Sequence, residues 1–221
     1  MPDDLIVRSL GRQPYRPIWQ AMRAFTDARG PRTADELWLL EHEPVYTQGQ
    51  AGSAEHVLNP GDIPIIQTDR GGQVTYHGPG QLVAYPLLDL NRLGIGIRTL
   101  VNRMEEAVIR VLAESGLEGT RRAGAPGVFV NEAKIASIGM KVRKGCTYHG
   151  LAFNIDVDLE PFSRINPCGF AGLAMTRLAE YRPEADPAEV GMVLAGQLRE
   201  LLGYQSVEVR EDAFDVAAIT A

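Results

Sequence analysis

Between two apolar, β-branched runs, Ile63-Pro64-Ile65-Ile66 and Leu82-Val83-Ala84-Tyr85-Pro86-Leu87-Leu88, the chain carries Arg70-Gly71-Gly72-Gln73-Val74-Thr75-Tyr76-His77-Gly78-Pro79-Gly80-Gln81. Four glycines fall in the eleven positions from Arg70 to Gly80. Short apolar runs bounded by Gly and Pro read as strands, so this stretch joins or contains strands at one end of a sheet. Glycine permits positive φ and lets a ligand approach main-chain N–H groups. Arg70, Thr75, Tyr76 and His77 add cationic, hydroxyl and imidazole groups to the same loop. That chemistry suits a pocket for an acyl or phosphate-bearing ligand; an ordinary glycine-rich turn is the competing reading. Gly72 to Gly78 has the spacing of a phosphate loop but lacks the Lys-Ser/Thr that would follow it.

The flanking sequence predicts mixed α and β structure. Leu5–Leu10 reads as a strand, and Tyr15, Ile18, Trp19, Met22 and Phe25 recur at helical spacing until Gly30. Leu37–His42 is a strand that runs into a loop ending at Pro44 and Gly49, with His42 expected to be structural. Ile97, Leu100, Val101, Met104, Val108, Val111 and Leu112 form one face of a long helix that Gly116 stops, with Glu105, Glu106 and Arg110 on the other face. Strands follow at Gly127–Val130, Lys134–Val142 and Tyr148–Val157, arranged as a meander rather than βαβ repeats. A last helix spans Pro187–Leu202 and ends at Gly203, and Glu208–Asp215 is an acidic tail. With 221 residues and neither a repeat nor a long linker, one domain over 1–221 is expected.

A net charge of −6 argues against a general nucleic-acid binder. Residues 121–150 nevertheless hold Arg121, Arg122, Lys134, Lys141, Arg143 and Lys144 against Glu132 alone. Such a basic face suits an acidic protein partner, and a solvated charged surface is the plainer alternative. The N-terminus lacks a basic-then-apolar leader and no apolar run is long enough for a membrane span, so a cytoplasmic chain is expected. The two cysteines, Cys146 and Cys168, make no disulfide framework. Cys146-x-x-His149 is the one close metal-ligand pair, too few for a zinc tetrad, so no metal site is expected.

Cys168 lies in Arg164-Ile165-Asn166-Pro167-Cys168-Gly169. Asn-Pro before it and Gly after it favour a sharp exposed turn, which presents a thiol that would otherwise serve as a small buried hydrophobe. Cys146 competes through nearby His149, but residues three apart on a strand face opposite ways.

Four ordered stretches resemble the octanoyltransferase family, also called lipoate-protein ligase B. These are Arg70–Gln81, Lys134-Ile135-Ala136-Ser137-Ile138-Gly139, His149-Gly150-Leu151-Ala152-Phe153-Asn154 and Asn166-Pro167-Cys168-Gly169; Glu41–Thr47 fits as well. The resemblance covers about residues 37–173. It implies the α+β catalytic domain of biotin and lipoate-protein ligases, with mixed sheets and packed helices. It also implies a cytoplasmic enzyme that moves an octanoyl group from acyl carrier protein to one lysine of a lipoyl domain, on 2-oxoacid dehydrogenases or glycine cleavage H protein. A monomer is expected. By the same resemblance Cys168 is the nucleophile and Lys134 its partner. The substrate contacts are Arg70, Gly71, Gly72, Gln73, Val74, Thr75, Tyr76, His77, Ser137, Ile138, Gly139, Gly150, Leu151 and Ala152.

The implied chemistry is self-consistent. An ordinary thiol titrates near 8.5 and an ordinary lysine near 10.4, so a proton shared between the two types of group rests on nitrogen. The resulting thiolate attacks a thioester, and the neutral amine left afterwards deprotonates the incoming lysine. Thioester to amide is downhill, so no ATP and no cofactor is needed. Gly169 and the glycines of the Arg70–Gly80 loop are candidate oxyanion donors. His77 either orients Lys134, orients the acyl carbonyl or completes the loop's hydrogen bonds. Burying about seven acyl carbons at about 0.8 kcal/mol each offers up to about 5 kcal/mol for chain-length selection, so an apolar pocket is expected. The rival is an ATP-dependent lipoate or biotin ligase on the same fold, which needs no nucleophilic cysteine. A second alternative is a non-enzymatic module that binds acidic carriers through the 121–150 face.

Overall fold

In the computed structural model, which describes residues 4–210, the chain opens with β1 (Asp4–Gln13), α1 (Tyr15–Ala28) and β2 (Asp35–His42). β1 and β2 pair in parallel with α1 as the crossover between them. The segment expected to be loop after His42 is instead a strand, β3 (Val45–Gln48). It begins a second sheet with β4 (Ile65–Gln67) and β5 (Val74–His77), in the order β4-β3-β5. Pro44 and Gly49 bound this strand, so its punctuation was correct and its content was not.

The remaining elements are β6 (Gln81–Leu87), the single turn α2 (Leu90–Leu93), α3 (Ile97–Glu114), β7 (Gly127–Val130), β8 (Ala133–Arg143), β9 (Cys146–Asn154), α4 (Pro187–Leu202) and β10 (Ser206–Arg210). The large sheet runs β10-β1-β2-β6-β9-β8-β7. β7, β8 and β9 form the expected antiparallel meander, while β1–α1–β2 is a parallel unit absent from the sequence reading. Local chemistry sets the helix ends. The Asp186 carboxylate accepts from the N–H groups of Ala188 and Glu189 ahead of α4, and Gly203 closes it at φ 82°. The acidic tail beyond Arg210 lies outside the described residues.

Alternation along the strands divides the apolar side chains between two cores. Leu37, Leu39, Leu82, Ala84, Leu151 and Phe153 pack under α3 and α4. Trp38, Leu40, Val83, Tyr85 and Tyr148 face the other way, toward Ile18, Ala21 and Met22 of α1. The small sheet has its own core of Tyr46, Val74, Tyr76, Phe162 and Ile165. β6 and β9 are therefore buried along their whole length. Glu105, expected on the solvent side of α3, is buried. Its Oε1 accepts from Gly127 N–H at 2.9 Å, and its other oxygen lies 3.2 Å from Arg121 Nε.

Candidate active site

Lys134 and Cys168, 34 residues apart, meet with Nζ 3.3 Å from Sγ. Two local devices bring them together. On β8, the register against β7 jumps from Phe129↔Lys134 to Val128↔Ala136, so Ile135 is an extra bulged residue beside the lysine. Bulges of this kind re-aim side chains. Main-chain bonds from Lys134 N to Ala174 O (2.8 Å) and from Thr176 N to Lys134 O (3.1 Å) then tie the downstream end of the cysteine loop directly to the lysine. The upstream end is held by Asn166 N to His56 O at 2.8 Å and by Ile165 in the small-sheet core.

Cys168 sits in the turn Pro167–Gly169 with φ 57° and ψ 15°, the left-handed region that costs a non-glycine residue about 1–2 kcal/mol. The expected sharp turn is present, and its thiol is half-buried. The lysine side chain is fully buried (0 % exposed), and its ammonium lies 5.4 Å from the Phe129 ring centroid. Space for its stem comes from Gly127 at φ 133°. A Cβ there would stand 2.8 Å from Lys134 Cε and 2.0 Å from Ala136 O.

The pair opens on a cavity of about 280 Å³. Its walls include Arg70, Gly71, Gly72, Gln73, Thr75 and His77, with Ser137, Ile138 and Gly139 from β8 and Gly150, Leu151 and Ala152 from β9. Val74 and Tyr76 do not line it. Successive residues of β5 face opposite ways, which sends these two into the small-sheet core. The cavity also contains Tyr15, Tyr85, Met140, His149 and Phe170, which the sequence reading did not assign to a site. Phe170 is 46 % exposed and marks the mouth, whereas Tyr15 is 4 % exposed and marks the deep end.

Similarity to known proteins runs through most of the chain. Residues 14–199 match the model of the lipoyl protein ligase A/B catalytic domain. An octanoyltransferase of Marinobacter nauticus is 57 % identical over 94 % of this chain and 98 % of its own. One of Pseudomonas fluorescens is 59 % identical over 92 % and 95 %. The chain belongs to the octanoyltransferase family. Likeness to a crystal structure of lipoate-protein ligase A bound with ATP, at TM-score 0.78 and 18 % identity over 100 % of this chain and 93 % of that one, establishes the shared ligase fold. Similarity to the octanoyltransferases thus extends well beyond residues 37–173.

In this octanoyltransferase-family chain the polar groups of the deep end satisfy one another. Gln81 Nε2 donates to Tyr76 O and to Asn154 Oδ1, leaving its Oε1 to accept from His77 Nδ1 at 2.8 Å. His77 Nε2 must then accept from the Thr47 hydroxyl at 3.2 Å, because Thr47 Oγ1 itself accepts from Arg70. His77 therefore completes the loop's hydrogen bonds. Burial and neighbouring His42 hold it well below the usual histidine range, hence neutral. His42 is structural as expected: Nδ1 donates to Gln13 O at 2.9 Å and Nε2 accepts from Tyr85 OH at 2.7 Å. Burial brings it down to about 4.

The Arg70 guanidinium is buried and bonded to Thr47 O, Gly71 O and Gln73 O. It braces the glycine loop from within. Among the proposed oxyanion donors, Gly169 N–H is already bonded to Asn166 O, Gly71 N–H to Met140 O and Gly80 N–H to Glu41.

His149 departs from strand alternation. At φ 58° its ring turns to the same side as that of Tyr148, and the two stack at 5.0 Å. Both reach Asp69: the Tyr148 hydroxyl and His149 Nε2 (2.9 Å) donate to its carboxylate, as does Trp19 Nε1 (2.9 Å). Burial alone would raise that carboxyl, but these donors outweigh it and hold Asp69 well below the usual range. Cys146 is a different kind of cysteine. It is buried, its thiol is pushed up by burial, and its charged neighbours are Arg29, Asp89 and Asp35.

The basic stretch 121–150 does not survive folding as one face. Lys134 is in the site, Arg121 pairs with Glu105 and Glu106, and Arg143 and Lys144 both pair with Asp27.

Proposed function

We propose that this chain catalyses octanoyl transfer by a two-step exchange through Cys168, with Lys134 as the proton carrier. The supporting observation is the 3.3 Å contact between a fully buried amine and a half-buried thiol at the mouth of a cavity whose deep-end polar groups satisfy one another. In the first step the Cys168 Sγ–acyl bond forms as the donor's own S–acyl bond breaks, and the departing thiolate takes the proton from the Lys134 ammonium. In the second step the acceptor lysine's nitrogen attacks the Cys168 thioester, its proton passes to the neutral Lys134 amine, and the amide forms as the Cys168 thiolate is released. Gly72 lines the cavity, and its N–H, which has no main-chain acceptor among the described residues, is the oxyanion donor we assign.

The donor in this reading is octanoyl-acyl carrier protein. The acceptors are lipoyl domains of 2-oxoacid dehydrogenases and the glycine cleavage H protein, met in the cytoplasm by a single-domain monomer. No helix among the described residues is long and apolar enough to cross a membrane. The ATP-dependent ligase reading shares the fold but gives the Cys168–Lys134 contact no task. Purified protein supplied with octanoyl carrier and a lipoyl domain should octanoylate the acceptor without nucleotide. Transfer that required ATP and released AMP would replace this reading with the ligase one.

A further inference from the structure

We propose that the groove beside the cavity mouth binds the phosphodiester of the donor's prosthetic arm, with Arg122 as its cation; this rests on the thioester-exchange reading above. The groove, about 470 Å³, is lined by Arg122, Asn131, Glu132 and Leu173 among others. It shares Ala125 and Phe170 with the acyl cavity. Phe170 is thus the sill between the two spaces, and an arm lying in the groove crosses it to deliver its thioester to Cys168.

Arg122 is suited to a phosphodiester in a way its neighbour is not. Arg121 is neutralised by Glu105 and Glu106. Arg122 pairs with no carboxylate among the described residues, and its guanidinium contacts a main-chain oxygen, that of Glu132, only at 3.5 Å. Stacking over Phe129, 4.4 Å from the ring centroid, fixes its position while leaving its donors to a ligand. The same ring lies 5.4 Å from Lys134 Nζ, which is 3.3 Å from Cys168 Sγ, so the guanidinium is within about 13 Å of the sulfur. A pantetheine arm has about thirteen bonds from sulfur to phosphorus, roughly 15 Å at the extended-chain rise of about 3.4 Å per three bonds. The arm is therefore long enough to span from Cys168 over Phe170 to the guanidinium.

Two small donors test this: octanoyl-4′-phosphopantetheine and octanoyl-pantetheine, which differ only in the phosphate. The readout is the rate of Cys168 thioester formation against donor concentration, followed by intact-protein mass spectrometry. The wild-type protein should half-saturate at about tenfold lower concentration of the phosphorylated donor. In Arg122→Gln the ratio between the two donors should fall to about one. Because each variant supplies its own ratio, a general loss of folding does not imitate the result. Equal half-saturation in the wild type, or a preference that survives in Arg122→Gln, overturns the phosphate site while leaving thioester exchange intact. A Glu132→Gln variant that weakens acceptor use with the donor ratio retained in Arg122→Gln would reassign the groove to the acceptor lysine. If neither donor acylates Cys168, the exchange reading itself fails and this inference falls with it.

Discussion

At its mouth the cavity carries a half-buried thiol on a left-handed turn and a buried amine, 3.3 Å apart. At its deep end it carries His77, His149, Tyr15 and Tyr85, with His42 behind them, in bonds that match donors to acceptors. Both ends are rich in titratable groups, yet in the proposed mechanism only the mouth exchanges a proton. The difference teaches that proximity of reactive residue types does not make a reaction centre. A polar group fully engaged with its neighbours fixes shape, and one whose partner can release it does chemistry.

The contrast predicts that mouth variants lose turnover with little loss of stability, and that deep-end variants do the reverse. The largest effect belongs to Cys168→Ala, which should lower octanoyl transfer by at least about 10³-fold. Cys146→Ala should leave the rate unchanged. A Cys168→Ala protein with substantial transfer would break the comparison outright. Lys134→Met keeps the buried stem and removes the proton carrier, so steady-state turnover should fall by about 10²–10⁴-fold.

Gly127→Ala sharpens the comparison because it moves the amine without changing it. The new methyl meets Ala136 O at 2.0 Å and Lys134 Cε at 2.8 Å. A stability loss of about 1–3 kcal/mol, seen as a lower Tm, should accompany reduced turnover.

The smallest predicted effect is on pH. His42, near 4 in the folded protein, is protonated near 6.5 once unfolded. The unfolded chain therefore binds the extra proton first, so stability is intact above about 6.5 and declines as pH falls toward 4, by up to about 3 kcal/mol from this residue. His42→Gln should flatten that slope in chemical unfolding measured across this range, while turnover at pH 7.5 changes little. A slope unaffected by the substitution would mean that the deep end is not held by its neutral state.

Much of this was legible in the sequence, and the failures have physical causes. The helices at Tyr15–Ala28, Ile97–Glu114 and Pro187–Leu202 followed from apolar spacing and glycine stops, because helix periodicity and caps are local. The turn at Cys168 was likewise readable from Asn-Pro and Gly. The resemblance named Lys134, but its 3.3 Å approach depends on the bulge at Ile135 and the room at Gly127, neither of which has a signature in one sequence.

Val74 and Tyr76 were carried over as part of an unbroken motif, although strand alternation in β5 sends every second residue away from the cavity. Tyr15 was read as one of five residues at helical spacing, and it is buried. Its place in the cavity arises only because α1 packs against β9 from 134 residues away. The charge cluster at 121–150 failed because neighbours in sequence are not neighbours on a surface. Three carboxylates from elsewhere in the fold, Asp27, Glu105 and Glu106, pair with Arg121, Arg143 and Lys144.

The most direct test of the central claim maps the acyl group itself. Protein incubated with octanoyl carrier and no ATP is quenched at low pH, digested, and each cysteine peptide is weighed. The octanoyl thioester should appear on Cys168, vanish in Cys168→Ala and discharge when a lipoyl domain is added. An adduct on Cys146, or transfer to the acceptor with Cys168 never acylated, would contradict it.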